Sequence, residues 1–506
     1  HHFDVTAMWD VRNDLSNSQL FATEEYPRAQ VVEPRPAQGW VNAEAQGALE
    51  VELEVIGRDC LSPLTPQRWW ALLLRDSGGR FESALIAPEK DGGQAFCTLR
   101  VGEWSPRLER DFQTAAGPRR AAFRMKLLEL HPSGRELKLF LSPLCALDGY
   151  HHPADVAAEL AQHVPEMPLP NFAIEELNLE WVDDETWREV MEESHRWLGG
   201  AADYLLGTKP WDLFAMHLHC PDWAYHAMAT RLDPLTEPDA EVRQRFERLE
   251  RQFHAAWDEM LGRILRHAGE DTLVVVVSDH GAQATTRPLP LRRILVDAGL
   301  MALTTDAEGR EVVDWSRTRA VPQRSCYIYV NTRGRDPHGI VEPGEEYEAV
   351  REQVIHALMS YQDPETGLHP FSLVLRREDA RVLGLYGDRV GDIVFAQREE
   401  FCGQHGPVLP TAKYGIGSIE GLLVLAGPGV KRKATLERTC WLTDVVPTVC
   451  HLAEWPIPAQ AEGAVLYQAL EDPDAKTREL QRVRRNYERL KRAEQTDEAL
   501  EHRYNM

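Results

Sequence analysis

The stretch DTLVVVVSDHG, from Asp271 to Gly281, is the one on which the fold prediction rests. Val274 to Val277 form an unbroken apolar run. A strand with water on one face would alternate between apolar and polar residues. The unbroken run therefore predicts a strand covered on both faces, as in a parallel sheet packed between helices.

The polar residues that follow this run are Ser278, Asp279 and His280. Open α/β sheets bind their ligands at the carboxyl ends of the strands. A carboxylate beside an imidazole at that position is typical of a zinc-type metal site, and Gly281 allows the chain to turn sharply next to it. An ordinary polar turn after a strand has the same composition, so this pair needs support from other motifs.

The segments before this strand alternate between helix and strand patterns. Asp184 can cap a helix that runs to about Leu206, and Trp211 to His219 reads as a strand. A second apolar stripe runs from Asp239 to His267 and leads into the valine run. This rhythm predicts an α/β fold with a doubly wound, mostly parallel sheet between helices.

The remaining sequence divides by its patterning into further parts. Short alternating segments separated by Gly-containing turns predict strands over most of residues 48–144, without helices at βαβ spacing. We expect an irregular start and a β-rich accessory module over residues 1–145, the first part of the α/β core over 146–300, an α+β insertion over 301–400, the second part of the core over 401–470, and a charged C-terminal helix over 471–506.

Composition restricts the class of protein. The chain has 506 residues, enough for several domains, and 80 acidic against 56 basic residues give a net charge of −24. So acidic a surface argues against binding a nucleic-acid backbone or an anionic membrane. No apolar run approaches the roughly 20 residues that span a bilayer. The eight cysteines are scattered, which is typical of a reducing compartment, and we expect a cytoplasmic protein.

Three separated motifs carry metal-ligand chemistry. The first is Asp222-Trp-Ala-Tyr-His226, the second is Asp279-His280, and the third places His405 between two glycines. Together they supply two carboxylates and three imidazoles. Two divalent ions about 4 Å apart can hold both the attacking and the leaving oxygen of a phosphoryl group. Asp and His ligands suit zinc, with manganese as the alternative.

These motifs make the sequence resemble the alkaline phosphatase superfamily, in particular its type I phosphodiesterase/nucleotide pyrophosphatase branch. The resemblance rests on four stretches, HCPDWAYH, VVVVSDHGA, GQHGP and LTDVVPTVCHLAEWPIP. It implies that Asp222, His226 and His405 bind one metal ion and that Asp279 and His280 bind the other. It also implies hydrolysis of a small phosphorylated substrate. His219, close to the first motif, is a candidate for a hydrogen bond that orients one of the metal ligands.

One part of the family pattern has no counterpart in this sequence. The family also uses an Asp and a Ser or Thr nucleophile that precede the first motif, and early residues such as Ser16 and Thr23 follow no apolar strand. We expect that segment to lie upstream of His1.

Three alternatives stay open: a non-catalytic metal-binding relative, a phosphomutase, and a sulfatase, although the three histidines argue against the calcium site of a sulfatase. Arg287 and Lys413 are weaker candidates for contacts with substrate anions.

Overall fold

The computed structural model describes residues 4–5, 14–16, 18–59, 62–114, 117–147, 151–167, 177, 179–284, 287–306, 311–323, 326–401 and 420–504. By compactness the chain divides into one unit of residues 1–267 with 282–419 and a second of 268–281 with 420–506. The α-helices are α1 (Asp155–His163), α2 (Asp184–Thr208), α3 (Cys220–Leu232), α4 (Ala240–Leu265), α5 (Leu291–Asp297), α6 (Glu345–Ser360), α7 (Val445–Leu452) and α8 (Ala475–Tyr504). Short 3₁₀ turns span Gly92–Gln94, Asp379–Leu383, Glu399–Phe401, Leu442–Asp444 and Tyr467–Ala469.

The first part of the chain forms three antiparallel-rich sheets. In spatial order, the first sheet consists of Cys97–Arg100, Phe81–Ala87, Gln67–Arg75, Leu49–Val55 and Arg35–Pro36. The second consists of Leu108–Thr114, Gly117–Phe123, Leu144–Ala146 and Asp14–Ser16. The third consists of Met125–Leu130, Leu137–Leu141, Gln19–Ala22 and Gln30–Val31. Small two-stranded ladders join Arg58–Asp59 to Ser62–Pro63 and Asp4–Val5 to His151–His152. The apolar faces of the larger sheets share one core around Trp69, whose ring contacts Phe123 at 5.0 Å between centroids.

The alternating run from Ala121 to Leu130 forms two strands that belong to different sheets. Arg124 separates them, since its N–H donates to Ser142 Oγ at 2.9 Å and its carbonyl accepts from the Ser142 N–H at 2.9 Å. The chain therefore crosses from one sheet to the next at this residue, which the alternation of side chains alone does not reveal.

Helices α2 and α4 pack against each other and against the β-rich part. The apolar stripe of α2, including Trp187 and Met191, meets Phe253 of α4 in a core that also holds Leu20 and Phe140 from the strands. Asp183 caps α2 by accepting a hydrogen bond from the Thr186 N–H at 2.8 Å. The cap predicted at Asp184 is thus displaced by one residue, and Asp184 pairs instead with Arg245 of α4.

A separate core lies within residues 291–398. Its sheet has the order Ala320–Gln323, Tyr327–Val330, Ile393–Gln397 and Phe371–Arg376, covered by α6, and Leu303–Thr305 pairs with Glu311–Val313. Buried Asp392 accepts hydrogen bonds from the Val330 N–H, Arg335 and the Tyr347 hydroxyl, each at 2.8 Å. Burial would raise the pKa of Asp392, but the hydrogen bonds from Arg335 and Tyr347 outweigh it and hold the pKa below its ordinary value.

The valine run forms a strand, Val274–Val277, but its pairing differs from the prediction. It pairs with Leu423–Ala426 in an antiparallel two-stranded ladder, and Val277 is 42% exposed. Among the named ladders of the described residues, only the one between Gln19–Ala22 and Gln30–Val31 is parallel. The mixed α/β content agrees with the prediction, whereas the doubly wound, mostly parallel sheet is not found in the described ranges. A short apolar run identifies a strand but not the direction of its neighbours.

The strand predicted from Trp211 to His219 is wrong, because these residues, all described, form no ladder and lead into α3 as irregular chain. The predicted C-terminal helix exists as α8. Of the helices in the described part of the chain, none combines the length and apolarity that crossing a bilayer requires. The domain boundaries predicted from the sequence stay predictions.

Candidate metal centre

The first predicted motif lies at the beginning of α3. Pro221 stands in the first turn, where its missing N–H is not needed, and Asp222 lies in the same turn. His219 is the residue at the N-terminal boundary, and His226 follows Asp222 by four residues. Positions three and four apart are neighbours on a helix, so the sequence spacing brings both imidazoles to the same carboxylate.

The three side chains meet at one oxygen atom. The Nε2 atoms of His219 and His226 lie 3.3 Å and 3.5 Å from Asp222 Oδ2. Zinc binds nitrogen and oxygen at about 2.0–2.2 Å, so two ligands of a tetrahedral ion are separated by about 3.3–3.5 Å. The carboxylate–imidazole distances suit direct contacts between these side chains, and as they stand the three side chains are not arranged around a metal ion. Asp222 is 17% exposed and His226 is 38% exposed, so solvent reaches the motif.

The opposite face of α3 fixes the helix to the protein. Trp223, Ala224 and Met228 are buried in the core shared with α4. The Tyr225 hydroxyl donates to Glu250 Oε1 at 2.5 Å, and burial together with this carboxylate raises the pKa of Tyr225. These buried side chains fix the rotation of α3 about its own axis. In this orientation Asp222 and His226 stay partly exposed. The contact between Tyr225 and Glu250 is not readable from sequence, because it depends on how α3 crosses α4.

The second predicted motif follows the strand Val274–Val277. Ser278 extends the ladder, since its N–H donates to the Leu422 carbonyl and its hydroxyl accepts from the Leu422 N–H. Asp279 then turns outward and its side chain is 70% exposed, while that of His280 is 29% exposed. The strand end therefore presents the carboxylate and the imidazole next to each other at the surface of its own unit.

The ring of His280 has a defined orientation. Its Nδ1 lies 2.8 Å from the Gly281 carbonyl oxygen, which can only accept, so Nδ1 carries the proton. In the neutral ring this leaves the lone pair on Nε2, which lies 3.6 Å from Asp279 Oδ2. A backbone carbonyl that fixes the tautomer of a histidine in this way is a common feature of histidine metal ligands.

The described residues do not test whether the five predicted ligands meet in one site. His405 and Lys413 lie outside the described residues. The pair Asp222 and His226 belongs to one compact unit, and Asp279 and His280 belong to the other. Within the described ranges no group of three or more His, Cys, Asp or Glu side chains is arranged to hold a metal ion. The two-metal site stays a prediction whose donor types suit zinc.

The weaker candidates have other partners. Arg287 pairs with Glu365 at 2.9 Å and with Asp363 at 3.7 Å, so carboxylates of its own unit occupy the guanidinium. Ser16 Oγ accepts from the Leu144 N–H at 3.1 Å, and Thr23 Oγ1 accepts from the Leu137 N–H at 3.0 Å. Both hydroxyls close strand ends in the β-rich part. Thr23 directly follows the largely buried strand Gln19–Ala22, so the expectation that it follows no apolar strand is wrong, while its exclusion as a nucleophile stays a prediction.

Comparison with known proteins identifies relatives of this chain. The family model described as type I phosphodiesterase / nucleotide pyrophosphatase matches residues 137–404, more than half of the chain. A crystal structure of wild-type alkaline phosphatase PafA is similar at 15% sequence identity and a TM-score of 0.32, over 50% of this chain and 46% of that one. The chain therefore spans less than half the length of that phosphatase. No curated protein matches.

Proposed function

The chain belongs to the type I phosphodiesterase/nucleotide pyrophosphatase family of the alkaline phosphatase superfamily, and on that basis we propose that it is a metal-dependent phosphoester hydrolase. Its substrate is a small phosphate mono- or diester. The observation that carries the proposal is the family match together with the Asp222 carboxylate between two imidazoles at the solvent-accessible start of α3.

Asp222 and His226, with His405, are the residues proposed to hold one divalent ion, and Asp279 with His280 the other. When bound, such a pair neutralises charge on the phosphoryl oxygens and lowers the pKa of a coordinated water. The tautomer of His280 supports its role, because a proton on Nδ1, facing the Gly281 carbonyl, places the lone pair of the neutral ring on Nε2. His219 has the proposed role of orienting the Asp222 carboxylate, since its Nε2 lies 3.3 Å from Oδ2.

The test compares Asp222→Asn with Asp212→Asn, a matched control in the exposed irregular chain before α3. Metal content per chain is measured by mass spectrometry, and hydrolysis is measured with bis(4-nitrophenyl) phosphate and 4-nitrophenyl phosphate. Asp222→Asn is expected to lower metal affinity and turnover at least about a hundredfold, since it removes one charged ligand, while the control behaves as wild type.

The outcomes separate the remaining alternatives. If Asp222→Asn and Asp212→Asn retain equal metal and activity, the assignment of this motif is wrong. If the wild-type chain binds metal with the expected dependence on Asp222 but hydrolyses neither ester, residues 1–506 are a metal-binding chain without hydrolase activity of their own. The ratio of the two hydrolysis rates then distinguishes a diesterase from a monoesterase.

A further inference from the structure

A cavity of about 530 Å³ lies within the unit formed by residues 268–281 and 420–506. Residues 425–433 line it, together with Gly269, Glu270 and Glu471. Its volume falls within the ~300–1,000 Å³ of typical small-molecule sites. The lining segment ends in Lys431-Arg432-Lys433, the longest run of consecutive basic residues in a chain with a net charge of −24.

The loop that carries these residues is held in place on both sides. The Lys431 N–H donates to the Ala469 carbonyl and the Glu471 N–H donates to the Gly429 carbonyl, both at 2.9 Å. Val430 between them is buried. A Cβ on Gly427 would lie 2.4 Å from the Thr272 carbonyl oxygen, so this glycine permits a close backbone approach. The cavity wall is therefore a fixed structure.

The charges on this wall are not balanced. Lys431 Nζ donates to the Gln468 carbonyl at 3.0 Å, whereas Arg432 and Lys433 are exposed and have no ion-pair partner among the described residues. Two carboxylates, Glu270 and Glu471, also line the cavity. Three cations against two carboxylates leave one positive charge in a protein that is otherwise strongly acidic.

Lys433 has an unusual backbone conformation. Its φ of +53° lies in the left-handed region, which costs a non-glycine residue about 1–2 kcal/mol. In extended chain, consecutive side chains point to opposite faces, so three basic residues in a row would not line one cavity. Here the chain turns at Arg432 and Lys433, and all three residues belong to the cavity lining. Backbone strain of this kind recurs at binding sites, where it presents a side chain that an unstrained chain would not.

We propose that this cavity binds a small, multiply charged anion of the phosphate class. The planar fork of Arg432 matches two phosphate oxygens, and Lys433 adds a second charge that is available for pairing. The phosphate groups can belong to a free diphosphate or to a phospholipid headgroup. This site is distinct from the Asp222 and Asp279 motifs and does not depend on the proposed hydrolase activity.

The experiment measures binding of methylenediphosphonate, a diphosphate that is not hydrolysed, by calorimetry on the full chain at low ionic strength. Arg432→Ala is expected to weaken binding about tenfold, the effect of losing one charged hydrogen-bonding partner. The matched control is Lys476→Ala, which removes one positive charge that pairs with Glu454 outside the cavity lining. It is expected to change affinity less than about twofold.

Lys433→Gly is a second variant, and the result expected for it cannot arise from a general loss of folding. Glycine tolerates the left-handed conformation, so this variant is expected to unfold at a higher temperature and yet bind the diphosphonate more weakly. A parallel arm uses phosphatidylcholine vesicles with and without phosphatidic acid. Binding to the anionic vesicles alone assigns the phosphate to a lipid headgroup. Binding to neither probe, or equal losses in Arg432→Ala and Lys476→Ala, would overturn the proposal.

Discussion

At the scale of single residues, His195 on α2 is a buried histidine that the metal motifs do not use. Its side chain is 2% exposed, and the Trp257 Nε1–H donates to its Nε2 at 2.7 Å. Nε2 is therefore unprotonated and the ring is neutral. Burial lowers the pKa of His195 to about 4, because a charged imidazole would lose its hydration.

This pKa predicts a loss of stability in mild acid. The unfolded chain takes up a proton near pH 6.5 and the folded chain only near pH 4, so the contribution is fully present above pH 6.5 and is lost as the pH falls toward 4. Between pH 7.5 and pH 5.0 the loss is about 2 kcal/mol in the free energy of unfolding. Urea unfolding of the wild type and of His195→Gln, which retains an acceptor for Trp257, measures it. An equal loss in both proteins would assign the pH dependence to other groups.

The residues of the candidate site were predictable to the extent that they are local in sequence. The contact between Asp222 and His226 follows from helical spacing alone, and the position of Asp279 and His280 after the valine run follows from the end of that run. The contacts of Trp257 with His195 and of Tyr225 with Glu250 each join two helices. Such contacts depend on the position and angle at which two helices cross, which cannot be derived from a single sequence.

At the scale of elements, the start of α2 depends on one side chain. Asp183 Oδ1 accepts from the Thr186 N–H, so Asp183→Ala is expected to lower the free energy of unfolding by about 1 kcal/mol, while Asp183→Ser retains most of the cap. Asp184→Ala removes a partly exposed ion pair with Arg245 and is expected to cost about 0.5 kcal/mol or less. Urea unfolding at neutral pH compares the three variants. Serine performing no better than alanine would contradict the cap.

The two long helices and most of the strands of residues 48–144 were predicted correctly, whereas the strand from Trp211 to His219 was not, for a physical reason. The stripes of α2 and α4 repeat every three to four residues over 25 and 26 residues, and a helix satisfies its backbone hydrogen bonds internally. A strand needs a neighbour that the local sequence does not specify. The segment from Trp211 to His219 has apolar residues but no partner in the described ranges, and it forms irregular chain.

At the scale of the whole molecule, the sequence indicated mixed α/β content, a β-rich beginning and the family. It did not reveal the direction of the ladders. Val274–Val277 satisfies the pattern of a doubly covered parallel strand, yet its described partner Leu423–Ala426 is antiparallel and about 150 residues away in sequence. Parallel and antiparallel strands bury similar side chains, so composition distinguishes them poorly when the run is only four residues long.

The arrangement of cores predicts how the molecule unfolds. The core of the β-rich part and the core of residues 291–398 are separate clusters, represented by Leu53 and Ile328, both fully buried. Truncation of either side chain to alanine is expected to cost about 3 kcal/mol in its own core. Because the clusters share no member in the described ranges, calorimetry is expected to resolve more than one transition, with Leu53→Ala lowering one midpoint and Ile328→Ala another. A single transition, shifted equally by both variants and with equal calorimetric and van't Hoff enthalpies, would show that the two cores unfold as one cooperative body.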